Sequence, residues 1–118
     1  MTIDLKRAYD PPAKSDGRRV LVDRIWPRGI ARDELRIDAW LKDLAPSPTL
    51  RKWFGHDPRR WEAFKERYAR ELDERPDVLA QLVEQARAGR VTLVFGARDA
   101  EHNNAVALKE YLEREPER

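Results

Sequence analysis

Val91-Thr92-Leu93-Val94-Phe95 is the stretch on which the fold turns. It is almost wholly apolar and rich in β-branched and aromatic side chains, which predicts a strand. It lacks polar alternation, so it reads as buried on both faces, like the central strand of a parallel sheet. Just upstream, Pro76 opens a helix whose Leu79, Leu82, Val83 and Ala86 face inward, and Gly89 supplies its stop. Downstream, Asp99 is placed to cap a last helix carrying Ala105, Leu108 and Leu112. A helix before and after a strand of this kind predicts an α/β domain with parallel strands.

Two further strands lie near the N-terminus. Thr2–Ala8 (TIDLKRA) alternates apolar and polar residues, and Arg19–Ile25 (RVLVDRI) contains the run Val20-Leu21-Val22. The turn-rich DPPAKSDG between them is short for a parallel crossover, which leaves this pair open to either direction. Ile37, Trp40, Leu41 and Leu44 follow i, i+3, i+4, i+7 and predict a helix ended by Ala45-Pro46-Ser47-Pro48. A short helix is expected over Thr49–Gly55. Asp57-Pro58 then caps another that runs to about Leu72, with Trp61, Phe64, Tyr68 and Leu72 as its stripe. The sum is a single α/β domain over residues 2–114, followed by a charged C-terminal tail at 115–118. Its mostly parallel sheet has three strands or, with one hidden in an irregular segment, four, packed with about five helices.

Composition narrows the chemistry. The 118 residues are 41% hydrophobic and 39% charged, which is enough apolar material for one core. With no cysteine and two histidines, His56 and His102, disulfides, thiol catalysis and multi-histidine metal sites are not expected. No metal and no cofactor are predicted. No apolar run reaches membrane-spanning length and no signal peptide is legible, so the expectation is a cytoplasmic protein without a membrane partner. Residues 1–60 hold 14 basic and 9 acidic side chains, residues 61–118 hold 10 and 13, and 18 of the 24 basic residues are Arg. An Arg excess of this kind also suits ion-pair networks.

Five segments carry a family resemblance. Lys6-Arg7-Ala8-Tyr9-Asp10, Leu21-Val22-Asp23-Arg24-Ile25-Trp26-Pro27-Arg28-Gly29, Ala45-Pro46-Ser47, Leu50-Arg51-Lys52-Trp53-Phe54-Gly55-His56-Asp57-Pro58 and Glu101-His102-Asn103-Asn104-Ala105 resemble the YeaO-like branch of domain-of-unknown-function family 488. The resemblance runs from about residue 2 to residue 113. It implies an α/β domain with mostly parallel strands, which favours the parallel choice, and it brings no activity with it. Longer relatives in that family carry Cys-His-Arg where this chain reads Asn103-Asn104-Ala105, and many close ones carry Asn-His-Ala. A mechanism built on a thiolate at position 103 or an imidazole at position 104 therefore does not transfer.

In open parallel sheets, ligands sit beyond the carboxyl ends of the strands. Those ends hold Lys6, Arg7, Tyr9 and Asp10 in the first strand, and Asp23 and Arg24 in the second, which runs on into Trp26-Pro27-Arg28-Gly29. The third ends in Gly96-Ala97-Arg98-Asp99, with His102 and Asn103 expected in the first turn of the last helix. Guanidinium forks match phosphate oxygens, and a helix N-terminus adds to the attraction. The candidate ligand-binding residues are therefore Lys6, Arg7, Arg24, Trp26, Arg28, Arg98 and Asn103, with Trp26 as a stacking surface. Asp23, Asp99 and His102 are the candidate catalytic groups, as acids or bases. A carboxylate beside a bound phosphorylated sugar would assist N-glycosidic cleavage by stabilising an oxocarbenium-like centre.

Each of these residues also has a plainer use. Asp23 and Arg24 suit structural ion pairs, Trp26 suits a core anchor for its turn, and Arg28-Gly29 suits a solvated loop end. Asn103 and Asn104 suit backbone satisfaction near a helix start, and His56 belongs to the cap region before Pro58. Trp40, Trp53, Phe54, Trp61 and Phe64 are expected in the core. There is no P-loop, dinucleotide fingerprint or nucleophile elbow. The leading expectation is a protein that binds a phosphate-bearing small molecule such as a nucleotide, with or without processing it. Two others stand beside it: a nucleic-acid-associated accessory protein, and a non-catalytic interaction module.

Overall fold

A computed structural model describes residues 1–114, so the expected tail at 115–118 lies outside the described residues. Strands β1 (Thr2–Arg7), β2 (Arg18–Leu21), β3 (Ala39–Trp40) and β4 (Arg90–Phe95) form one sheet in the order β1-β4-β2-β3. Every pairing is parallel. Leu93 lies opposite Leu5 on one side and Val20 on the other. From Val91 to Phe95 every residue of β4 is buried, so the VTLVF segment is the central strand its composition predicts.

This order explains the short connection after β1. The first two strands are parallel but do not pair with each other, because β4 lies between them. The link therefore spans one strand rather than folding into a helical crossover. It contains a 3-10 turn at Lys14–Asp16, and Gly17 follows at φ 66. A Cβ on Gly17 would stand 2.4 Å from the Arg90 carbonyl oxygen, so glycine is what lets the loop lie against the start of β4.

Five helices, α1 (Arg32–Leu35), α2 (Pro48–Phe54), α3 (Trp61–Leu72), α4 (Pro76–Ala88) and α5 (Asn104–Arg114), complete the fold. The larger core joins Val91, Leu93 and Phe95 to the inner residues of α2 to α5, including Phe54, Phe64, Leu82 and Leu108. A smaller one, of Ala8, Leu21, Leu35 and Val94, is flanked by Trp26, Ile37 and Trp40. Ser47 caps α2 by accepting from the Leu50 amide at 3.1 Å, with Pro48 just inside. Asp57 caps a 3-10 turn, Pro58–Arg60, that leads into α3. Tyr68 of α3 donates its buried hydroxyl to the Leu44 carbonyl, which ties the helix to the chain after β3.

The Ile37–Leu44 segment is not a helix. Ala39–Trp40 is a strand and Lys42–Leu44 a 3-10 turn. Ile37 and Trp40 join the smaller core, whereas Leu41 and Leu44 join the larger. Four apolar residues at helical spacing thus serve two separate cores, a sharing that one face of a single helix would not permit. β2 is shorter than the run to Ile25 predicts. After the Val22 amide bonds Val94, the Asp23 side chain turns toward Gly96 and the main chain leaves the sheet. The last helix also starts later than expected. Asp99 caps a turn at Glu101 and His102, while Asn103 accepts from the Val106 amide as the cap of α5. His102 and Asn103 consequently precede the helix.

A buried charge cluster locks the loop after β1 to the sheet. Arg19, 3% exposed, donates to Asp16 at 2.7 Å and twice to the Leu35 carbonyl, and Lys6 reaches the same Asp16 carboxylate at 3.0 Å. Burial disfavours the Asp16 anion, yet the Ala13 amide, Lys6 and Arg19 outweigh it and hold the carboxyl below the usual range. Asp16→Ala would leave Arg19 without its counter-charge and is expected to cost about 3 kcal/mol in urea denaturation. The folded value lies below the unfolded one. The contribution is therefore complete above the ordinary aspartate value of about 4 and is lost as pH falls through the lower folded value. The gap between wild type and Asp16→Ala should narrow accordingly in acid.

Candidate functional site

All four strands end on one side, and beyond those of β4 and β2 lies a cavity of about 360 Å³. Segments 23–28, Ala45-Pro46, α2 with the turn after it, and 96–104 supply its walls. Arg24, Arg28 and Arg51 line it against one carboxylate, Asp23, with His56 and His102 alongside. Phe54, Phe64, Pro46 and Trp26 give it apolar surface. Charged residues, arginines foremost, therefore gather near the strand ends.

Asp23 is the polar centre of this region. One carboxylate oxygen accepts from the Gly96 amide at 2.9 Å, the other from the Asn104 side-chain amide at 3.1 Å. Asn104 also donates to the Val22 carbonyl at 2.9 Å. The position that departs from the family pattern thus carries an amide that clasps the end of β2. Burial pushes the Asp23 carboxyl up, against these donors and the attraction of Arg51. Gly96 leaves room for the contact, since a Cβ there would lie 3.3 Å from the carboxylate oxygen.

Arg24 reaches over the Ala45 and Pro46 carbonyls at 3.3 and 3.4 Å, while its buried Nε–H has no hydrogen-bond partner among the described residues. Arg28 is exposed at the rim, where its carbonyl accepts from the Tyr9 hydroxyl at 3.0 Å. Arg51 is an exposed residue of α2. The His102 ring stands edge-on to Trp61, with centroids 5.3 Å apart, and its Nδ1 lies 2.9 Å from Asp99. The Glu101 amide foremost, then the His102 ring, hold the Asp99 carboxyl below its usual range. Asn103 is buried, and its side chain bonds the Asp99 carbonyl and the Val106 amide. Trp26 borders the cavity, donates to the Ile30 carbonyl at 2.7 Å and packs edge-on to Trp40.

Among the residues predicted from sequence, Asp23, Arg24, Trp26, Arg28, His102 and Asn103 meet at this cavity, and Asp99 touches it through His102. Lys6, Arg7 and Arg98 do not line it. Lys6 is paired with Asp16, Arg7 donates to the Ala97 carbonyl at 3.0 Å and stacks over Tyr9, and Arg98 is exposed. Arg51 and Asn104 are the contributors that strand-end reasoning misses. Arg51 lies on a helix between β3 and β4, and only the Ser47-Pro48 helix start hints that it sits one turn in from an N-terminus. His56, in the left-handed region at φ 57 and just beyond the Gly55 cap of α2, borders the cavity as well. Among the described residues, no group of three or more His, Cys, Asp or Glu is arranged to hold a metal ion. Nor is any helix long and apolar enough to cross a membrane.

Asp23→Asn would set a second amide NH₂ against that of Asn104, which cannot flip without losing its bond to Val22. The expected cost at neutral pH is about 1–3 kcal/mol in urea denaturation. In the wild type, the folded Asp23 value lies above the unfolded one, so ionisation works against the fold. Its stabilising share is complete below about pH 4 and fades as pH rises through the folded value, so the gap to Asp23→Asn should be widest in acid.

Comparison with known proteins places these features in a family. The chain is 39% identical over 112 residues to the uncharacterized protein YeaO of Escherichia coli (strain K12), covering 95% of this chain and 97% of that one. It is 40% identical over 110 residues to the uncharacterized protein Rv3073c of Mycobacterium tuberculosis (strain H37Rv), covering 93% and 92%. The uncharacterized protein Mb3100c of Mycobacterium bovis matches with the same identity and coverage. No solved structure matches at a significant level. A family model described as the inactive DUF488-N3 subclade matches residues 2–118, and with relatives this similar along nearly their whole length, the chain belongs to that YeaO-like family.

Proposed function

We propose that the strand-end cavity binds a phosphate-bearing small molecule such as a nucleotide, and holds it without turning it over. The observation that carries this reading is the charge of the lining: three guanidinium groups, those of Arg24, Arg28 and Arg51, share the cavity with one carboxylate, Asp23. A bound phosphate would bring the missing negative charge and offer oxygens to Arg24, Arg28 and Arg51 in bidentate pairs. At about 360 Å³ the cavity falls in the range of small-molecule sites, and Phe54, Phe64 and Pro46 offer apolar surface to the rest of the ligand.

Binding without chemistry is favoured by the engagement of the acidic groups. Asp23 has both oxygens hydrogen-bonded to protein, and Asp99 is committed to a turn and to His102. The description of the family as an inactive subclade supports the same reading. The test is thermal unfolding with inorganic phosphate and adenosine monophosphate. Ligand at a hundredfold its Kd should add about 2.7 kcal/mol, a rise of roughly ten degrees for a domain of this size. Arg51→Ala, on the exposed face of α2, should abolish most of the rise. A rise undiminished in Arg51→Ala and Arg24→Ala, or none in the wild type, overturns the proposal.

A further inference from the structure

The positive excess of this chain sits in one stretch. Residues 51–70 hold seven Lys or Arg against three Asp or Glu, whereas the rest of the chain holds 17 against 19. That stretch runs from α2 through the turn after it and along most of α3. Successive helical residues are about 100° apart. Arg51, Lys52 and Trp53 therefore follow one another around the outer side of α2, while Phe54 enters the core. Arg67 of α3 places its Cζ 3.9 Å from the centroid of the half-buried Trp53 ring, and Arg60 places its own at 5.1 Å. Arg60 also donates to the Trp53 carbonyl. Three successive elements thus bring their cations to one indole.

These cations are short of partners. Asp57 is taken by Arg59 at 3.1 Å and lies 4.0 Å from Arg60, and Glu62 is paired with Lys65. Among the described residues, the side chains of Arg51, Lys52 and Arg67 make no hydrogen bond or ion pair. Packing on the indole holds a guanidinium in place and leaves its N–H edge for an acceptor. With guanidinium groups beside its ring, Trp53 serves the cations rather than a stacked base. Contacts made this way go to phosphates and carry no sequence preference. We propose that this face docks a single-stranded nucleic acid, whose backbone phosphates are taken by Arg51, Lys52, Arg60 and Arg67. Arg51 also lines the strand-end cavity, so face and cavity are continuous. A strand lying on the face would end in a space of about 360 Å³, which suits one nucleotide and not a base pair. The choice of single strand over duplex rests on the cavity reading above, and the face itself rests on its charge.

Fluorescence anisotropy with labelled oligothymidylate, at rising sodium chloride, tests the proposal. Four phosphate contacts should give a slope of log K against log salt of about −3. Arg67→Glu and Lys52→Glu, both at exposed positions outside the cavity lining, should each weaken binding about tenfold at low salt and flatten the slope by about 0.7. Both should keep the thermal rise with adenosine monophosphate. Arg18→Ala, an exposed charge at the opposite end of the sheet, should leave oligothymidylate binding unchanged. No binding in the wild type, or binding unaffected by both reversals, overturns this inference and leaves the cavity to its own test. Polyglutamate competing equally well overturns it in favour of an acidic polypeptide, and a duplex competing equally well overturns the single strand. Reversals that weaken oligothymidylate binding, in a protein that shows no rise with phosphate or adenosine monophosphate, support the face and overturn the cavity reading alone.

Discussion

Every part of this molecule answers to the position of β4. A strand with packed residues on both faces has no water to satisfy its backbone, so both of its edges must meet other strands. β1 and β2 fill those edges, although four of the five helices lie between them and β4 in sequence. Because all the pairings are parallel, the strands end on the same side, and the loops that leave them gather there. The helices that cover the larger core come between β3 and β4 or after β4, and α2 and α5 bring their own residues to that edge.

At that edge a single carboxylate does most of the joining. Asp23 holds the end of β2 to the start of the segment after β4, and Asn104 brings in the first turn of α5. Both of its oxygens are engaged by protein donors, while its burial disfavours the anion. Arg24, Arg28 and Arg51 line the same cavity against that single carboxylate, an excess of positive side chains at one edge. The same edge carries His102, whose Nδ1 lies 2.9 Å from Asp99 of the preceding turn.

Legibility varied with the distance over which each feature is determined. The VTLVF strand, the stripe of α3 and the Asp57 cap depend on residues within a few positions of one another, and the structure has them close to where pattern reasoning puts them. Ile37–Leu44 misled because four apolar residues fit a helical face and also fit a two-residue strand followed by a 3-10 turn, which share them between two cores. The spacing is the same; only the presence of both cores distinguishes the two. Among the candidate site residues, the tetrapeptide after β4 was placed at the right edge, yet Arg98 projects into solvent and Asn103 turned out to be the cap of α5. Arg51 escaped because a residue between two strands gives no sign in sequence of which strand end it will approach.

Local pattern was enough for the inventory: a parallel α/β domain, its central strand, most of its helices and the concentration of arginine near the strand ends. Those come from periodicity, caps and composition, which act over short stretches of chain. The assembled fold alone settles that β4 separates β1 from β2, that Ala39–Trp40 completes the sheet, and that Asp23 meets a main-chain amide 73 residues away. It also settles which arginines share a cavity and which are tied elsewhere. The cause is that a hydrogen bond or a desolvated charge depends on partners brought together by packing, and packing is a property of the whole core rather than of any one segment.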